Sequence, residues 1–290
     1  MRTLKTSEAA ALLNVSANTL RAWERRFGYP KPQRTPGKHR VYVYGEVAAL
    51  RDALRDGLSI SSAVSRARES LRGDTHILVG ALAAFEPERA DSAMEAALAM
   101  RSVERTVEEV LLPSLAELAR RQGDDSAAWA LGVRWSVEWV RRAQRLTPPP
   151  GRPGTVLIGD ATRDDLDIDA PSVRALELFI GRTGVRVATL PIRNRSGLSE
   201  LVSALDPGVV IVAGRHSDDE EVARWAYAVR SAAGALPLAL YRRGTGDQQT
   251  ARVAAVPSLS TVPSEATAQA IGLLDGRVVA GRAPMMSRSV

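Results

Sequence analysis

Between residues 77 and 140 apolar side chains recur at spacings of three and four. The series are Ile77, Leu78, Ala81, Leu82 and Phe85, then Met94, Ala97 and Leu98, then Val103, Val107, Val110 and Leu111, then Trp129, Val133, Val137 and Val140. Each series lays one apolar stripe along a helix. Links as short as Gly123-Asp124-Asp125 suit antiparallel neighbours, so residues 74–147 predict a four-helix bundle. Residues 148–154, which hold four prolines and two glycines, predict a linker, because proline sustains neither kind of backbone ladder.

After the linker the period changes. Short apolar runs at 156–158, 185–190, 209–212, 236–240 and 253–256 read as strands. Helical patterns over 172–182, 198–205 and 218–232 separate the first four, and a last one over 263–275 follows the fifth. Strands alternating with helices imply a parallel sheet, so residues 155–280 predict a doubly wound, Rossmann-like domain. The tail 281–290 is expected to lack order.

Residues 1–72 read as a separate module. A helical pattern over 6–13 opens on capping residues, and Asn14-Val15 turns the chain. Ser16 then caps a second helix, polar and arginine-rich over 17–26, which Gly28 ends. Two short helices about a tight turn form a helix-turn-helix, whose second helix lies in the major groove. Ser16, Asn18, Thr19 and Arg21 are the candidates for bases and phosphates, while Leu20 faces the core. Residues 34–42 read as a wing, with the turn at Thr35-Pro36-Gly37-Lys38 and a returning strand at His39-Arg40-Val41-Tyr42. Arg25, Arg26, Arg34, Lys38, His39, Arg40 and Tyr42 are the candidates for backbone and wing contacts. Trp23 either touches phosphate or packs the wing on the helix, and Glu24 is expected to orient Arg25. The fold class is therefore α plus α/β in several domains: a winged helix-turn-helix, a helical bundle and a doubly wound sheet.

Charge sharpens this division. Residues 1–72 carry 14 Lys and Arg against 6 Asp and Glu, whereas the rest of the 290 residues carry 25 against 27. A basic module on a near-neutral body is the electrostatic footprint of a nucleic-acid binder. The alternative is a solvated basic surface. The chain has no cysteine, which excludes disulfides, thiolate metal sites and thiol nucleophiles. No apolar run reaches the ~18–20 residues of a membrane helix and the first residues do not form a signal peptide, so a cytoplasmic protein is expected.

The order of 6–13, then Thr19-Leu20-Arg21-Ala22-Trp23-Glu24-Arg25-Arg26-Phe27-Gly28, then His39-Arg40-Val41-Tyr42 resembles the winged-helix DNA-binding domain of the MerR family. With a bundle and an α/β domain following it, the whole chain resembles the light-responsive, cobalamin-dependent repressors of that family, the CarH and LitR type. That resemblance implies cobalamin held between the bundle and the sheet, and its signatures depart here at each site. The family's Glu/Asp-x-His-x-x-Gly aligns with Asp167, Asp169 and Ser172, so the axial histidine is Asp169 and the glycine is Ser172. A carboxylate is a harder ligand than imidazole and suits cobalt poorly. A small hydroxyl residue after the third strand is replaced by Ala213-Gly214-Arg215, and a Gly-Gly after the fourth by Tyr241-Arg242-Arg243-Gly244. In the bundle the family's Trp…Glu-His becomes Trp129…Glu138-Trp139. None of His39, His76 and His216 stands at an axial position. No metal and no cofactor are therefore expected.

The remaining candidates line the implied cleft. Strands two to four end in Arg193 and Arg195, Arg215, and Arg242 and Arg243, which points to an anionic ligand. The alternative pairs these arginines with Asp160, Asp164, Asp165, Asp218 and Asp219 at the same edge. Trp129, Trp135 and Trp139 are expected to fill the space a corrin occupies. The function expected is a DNA-binding transcriptional regulator, a repressor, acting on double-stranded operator DNA as a homodimer or higher homo-oligomer. A body that senses cobalamin base-off, another tetrapyrrole or an anionic small molecule is the alternative. An enzyme is not expected, because no catalytic motif is found.

Overall fold

The computed structural model describes residues 3–34, 39–215, 217–234, 236–242 and 256–281. Lys38 and Arg243, the expected wing turn, His216, residues 253–255 of the fifth expected strand and the tail from 282 lie outside the described residues. The chain divides into two compact units, Met1–Gly132 and Val133–Val290.

The first unit opens with strand β1 (Thr3–Lys5) and helices α1 (Thr6–Leu12) and α2 (Ala17–Phe27). Strands β2 (Gln33–Arg34) and β3 (Arg40–Val43) follow, then helix α3 (Tyr44–Arg55). The antiparallel sheet runs β1-β3-β2, with Leu4 opposite Tyr42 and Arg34 opposite Arg40. Its core gathers Leu4, Leu13, Leu20, Tyr42, Val47 and Leu50, with Trp23 and Phe27 packed partly against it.

Helix α4 (Ile60–Ala83) runs unbroken across the boundary expected between 72 and 74. The physical reason is local. Ser59 caps it by accepting a hydrogen bond from the Ser62 amide, and no proline follows before Ala83. Gly73 alone weakens the helix by only ~1 kcal/mol relative to alanine. Helices α5 (Pro87–Met100), α6 (Val103–Thr106) and α7 (Leu112–Gln122) follow. Between α6 and α7 the chain makes a π-helical turn, Val107–Leu111, where the apolar spacing predicts regular helix. Helix α8 (Ala127–Arg145) contains the division between the units.

The second unit holds four parallel strands in the order β5-β4-β6-β7. They are β4 (Thr155–Asp160), β5 (Arg186–Pro191), β6 (Val209–Ala213) and β7 (Leu238–Tyr241). Strands β4 and β6 are buried along their whole length, which is why they read as continuous apolar runs. Helices α9 (Ala170–Arg182) and α12 (Pro263–Gly281) supply side chains to one core, which includes Leu176, Ile180, Ala270 and Leu274. Helices α10 (Leu198–Leu205) and α11 (Asp219–Ala233) supply the other, around Val202, Trp225 and Val229. A Cβ on Gly159 would stand 2.7 Å from the Trp225 ring, so only glycine lets α11 seat its indole on the sheet. Of the fifth expected strand, 253–256, only Val256 lies among the described residues and it is not in a strand; two residues beyond it, Ser258 forms one parallel bridge with Leu240. The expected doubly wound architecture is therefore present, with its order reversing between β4 and β6.

Candidate functional site

The recognition helix is built from both ends. Asn14 takes a left-handed backbone (φ 54°) that folds the turn, and the Ser16 hydroxyl accepts the Thr19 amide at 3.0 Å. Gly28, also left-handed, closes α2 by donating its N–H to the Glu24 carbonyl. Leu20 is fully buried, as the spacing predicts. Ser16, Asn18, Arg21, Arg25 and Arg26 are exposed, with Thr19 half-buried. Asn18, Arg21 and Arg25 stand three and four apart, so they share one face. The Asn18 side chain accepts from Arg21 at 3.4 Å, and the Arg26 guanidinium lies 5.2 Å from the Phe27 ring centre. The Ser16 hydroxyl also meets the Thr19 hydroxyl at 2.8 Å, so both are engaged in the cap.

Two expectations change at the wing. Tyr42 is fully buried and donates its hydroxyl to Glu24, so it belongs to the core and not to a contact surface. Glu24 orients the wing and not Arg25: it accepts from Tyr42 and pairs with Arg40 Nε at 3.3 Å. Arg40 and Tyr42 lie two apart on β3, hence on one face, and both reach the same carboxylate. Burial, then the bond to Glu24, pushes the Tyr42 hydroxyl above the ordinary tyrosine range. Trp23 is half-buried, packed against the core of the module. His39 is exposed just before β3, and Arg34 stands in β2 opposite Arg40.

The carboxyl edge of the sheet also differs from expectation. Asp169 is fully buried, and both its oxygens are taken. Arg215, beyond β6, donates Nε to Oδ2 at 2.8 Å and Nη2 to Oδ1 at 3.2 Å. Arg242, beyond β7, donates Nε to Oδ1 at 2.9 Å. Arg242 adopts a left-handed backbone (φ 54°) there, a conformation uncommon for a residue with a side chain. The Asp169 amide in turn donates to Asp167 Oδ1 at 2.9 Å, and Asp167 Oδ2 accepts the Arg163 amide. Arg215 and Arg242 thus converge on Asp169 and not on the acids expected. Asp160 is held instead by Arg174 and Thr162, and Asp218 caps α11. From β5, Arg193 donates to the Arg163 carbonyl at 3.0 Å, and Arg195 is exposed. Ser172 is buried in the first turn of α9.

Position 169 is where the resemblance implies an axial imidazole. The carboxylate there is neutralised by two guanidiniums and has no oxygen to spare, so these residues do not fit an axial-ligand role. On α8, Trp129, Trp135 and Trp139 are buried and Glu138 is exposed. Among the described residues no group of three or more His, Asp or Glu is placed to hold a metal ion, and no helix is long and apolar enough to cross a membrane.

Comparison with known proteins bears on both parts. The family described as MerR family regulatory protein matches residues 5–42, the span from the end of β1 to Tyr42. The HTH-type transcriptional repressor CarA of Myxococcus xanthus is 34% identical over 172 residues, which are 53% of this chain and 58% of CarA. The match thus spans little more than half of that relative. The HTH-type transcriptional repressor CarH of the same organism is 26% identical over 251 residues, 76% of this chain and 82% of CarH. A solved cobalamin-binding protein from Desulfitobacterium hafniense DCB-2 covers 68% of this chain and 96% of its own at 10% identity and a TM-score of 0.32, too slight a likeness to carry weight. Residues 5–42 thus match the MerR family, and the chain is similar in sequence to the HTH-type transcriptional repressors CarA and CarH.

Proposed function

We propose that this chain is a DNA-binding transcriptional regulator that acts as a repressor. The observation that carries the reading is the exposed Asn18–Arg21–Arg25 face of α2 beside a wing strand pinned to the same helix by Glu24. In this reading α2 enters the major groove, Asn18 and Arg21 read base edges, and Arg25, Arg26 and Arg40 hold phosphates. A two-fold homo-oligomer then reads paired half-sites of an operator in the cytoplasm. The body sets the assembly and works without histidine-ligated cobalamin, because Asp169 is committed to Arg215 and Arg242. It performs no catalytic step.

Selection of binding sequences from random duplexes, followed by footprinting, tests the reading. Recovery of a paired, protected motif is the expected result. A pool that never enriches contradicts it.

A ligand-sensing body is the competing reading. A cavity of about 430 Å³ beside His76, Glu109 and Arg121, and one of about 320 Å³ beside Asp160, Arg163 and Arg193, give a small molecule room. A thermal shift with an anionic metabolite or a tetrapyrrole favours it.

A further inference from the structure

One set of buried charges belongs neither to the recognition face nor to the sheet edge. Glu46 stands on α3, with its side chain 5% exposed. Its carboxylate pairs with Arg105 on α6, and the backbone of Lys31, in the turn that leaves α2, favours its charged form. Arg105 is itself 9% exposed and forks onto Glu109, with Nε at 2.7 Å and Nη2 at 2.8 Å from the two oxygens. Glu109 lies in the π-helical turn. Arg101 extends the chain of charges, 2.8 Å from Asp74 on α4 and 3.7 Å from Glu109.

Burial of this kind is costly unless every charge is paired. Burial pushes the Glu46 carboxyl upward and Arg105 opposes it, while the carboxylates Glu46 and Glu109 outweigh burial at Arg105 and keep it charged. A buried ion pair is weak evidence for added stability, and its best-attested use is to fix one arrangement over others. Here the arrangement is that of the winged helix on the helices that follow it, all within one compact unit. π-Helical turns often mark functional sites, and this one places Glu109 where the Arg105 fork meets it.

We propose that Arg105, far beyond the DNA-binding module in sequence, is a positioning residue for DNA recognition. Through Glu46 it holds the turn at Lys31, and so the end of α2, in one orientation relative to the α6–α7 helices. This rests on the DNA-binding reading.

The test uses the full chain carrying Glu46→Gln with Arg105→Met, which removes both charges together and avoids stranding one. Hydrogen exchange without DNA is the first measurement. Amides of residues 17–27 should exchange at least tenfold faster than in the wild type, with those of α7 and β6 unchanged. Unchanged exchange in 17–27 overturns the coupling. The second measurement is affinity for a duplex selected by the wild type. A loss of about tenfold at unchanged salt slope, partly restored in Arg105→Lys, is expected of a residue that positions and does not touch phosphate. Unchanged affinity overturns the positioning role and leaves the DNA-binding reading standing. A reduced slope assigns Arg105 a phosphate contact and also overturns it. A wild-type chain that binds no duplex overturns the functional reading itself, while the exchange result still decides whether the pair joins the two parts.

Discussion

The Asp169 carboxylate lies 2.8 Å from Nε of Arg215, and the two residues come from opposite sides of the point where the strand order reverses. Open α/β sheets bind ligands at that crevice. Here an ion pair bridges it and Arg242 adds a second bond from the end of β7. The energetic consequence is asymmetric. Asp169 is fully buried, whereas the Arg215 and Arg242 side chains are 46% and 28% exposed. Loss of Asp169 leaves two cations that water can reach, at a cost of about 1.5–3 kcal/mol for the charged hydrogen bonds. Loss of both arginines strands a buried carboxylate, at about 3–5 kcal/mol. Urea denaturation should therefore find Arg215→Ala with Arg242→Ala less stable than Asp169→Ala. The reverse order contradicts the arrangement.

The same pairing predicts a negative result with cobalamin. Mixed with adenosylcobalamin in the dark, the chain should show no absorption change of the kind that nitrogen ligation produces, and illumination should leave its mass in solution unchanged. Asp169→His alone should not restore binding, because Arg215 and Arg242 still occupy the space around that position. A light-dependent change of assembly in the wild type contradicts this.

Recognition and wing should separate in binding experiments. Arg21→Ala should weaken binding to the selected site by about 1–3 kcal/mol and relax the preference at one base position, whereas Arg40→Ala should weaken all sequences alike and reduce the salt slope by about one. Both effects are read by anisotropy on matched and mismatched duplexes. Glu24→Ala should resemble Arg40→Ala, since Glu24 holds Arg40 and Tyr42. A Glu24→Ala chain with a full salt slope contradicts the joint.

Alkaline titration gives a fourth check. Burial, reinforced by Glu46 at Tyr29 and by Glu24 at Tyr42, raises both hydroxyls. A pKa raised in the folded state contributes stability that is fully present below the unfolded value and is lost as pH rises through the folded one. Stability of the first unit should thus decline above pH ~10, the ordinary tyrosine value. Tyr42→Phe should lessen that decline, measured by urea midpoints across the range.

Much of the fold is legible in the pattern of residues. Ser16 and Gly28 mark the ends of α2 by chemistry that acts locally, and the apolar runs of β4 and β6 announce strands covered on both faces. What the pattern hides is pairing between distant positions. Tyr42 is grouped with the backbone and wing contacts because it lies on the returning strand of the wing. Yet its two-residue spacing from Arg40 puts both on the Glu24 side, a signal present in the alternation of β3. Arg215 and Arg242 are identified as edge arginines, but nothing local says that they close on Asp169. Glu46 and Arg105 escape notice because a charge on a buried face looks like any surface charge until the other helix is in place. The π turn at Val107–Leu111 is missed because no residue punctuates it, whereas the absence of proline between Ile60 and Ala83 is a legible sign that α4 runs unbroken.

DNA binding by this chain is tested most directly by equilibrium titration of the full chain with a selected duplex across salt concentrations. Specific binding is predicted, with an affinity that falls linearly on logarithmic axes as salt rises and a slope that is shallower by about one in Arg40→Ala. Affinity that is absent, or flat from low to moderate salt, contradicts it.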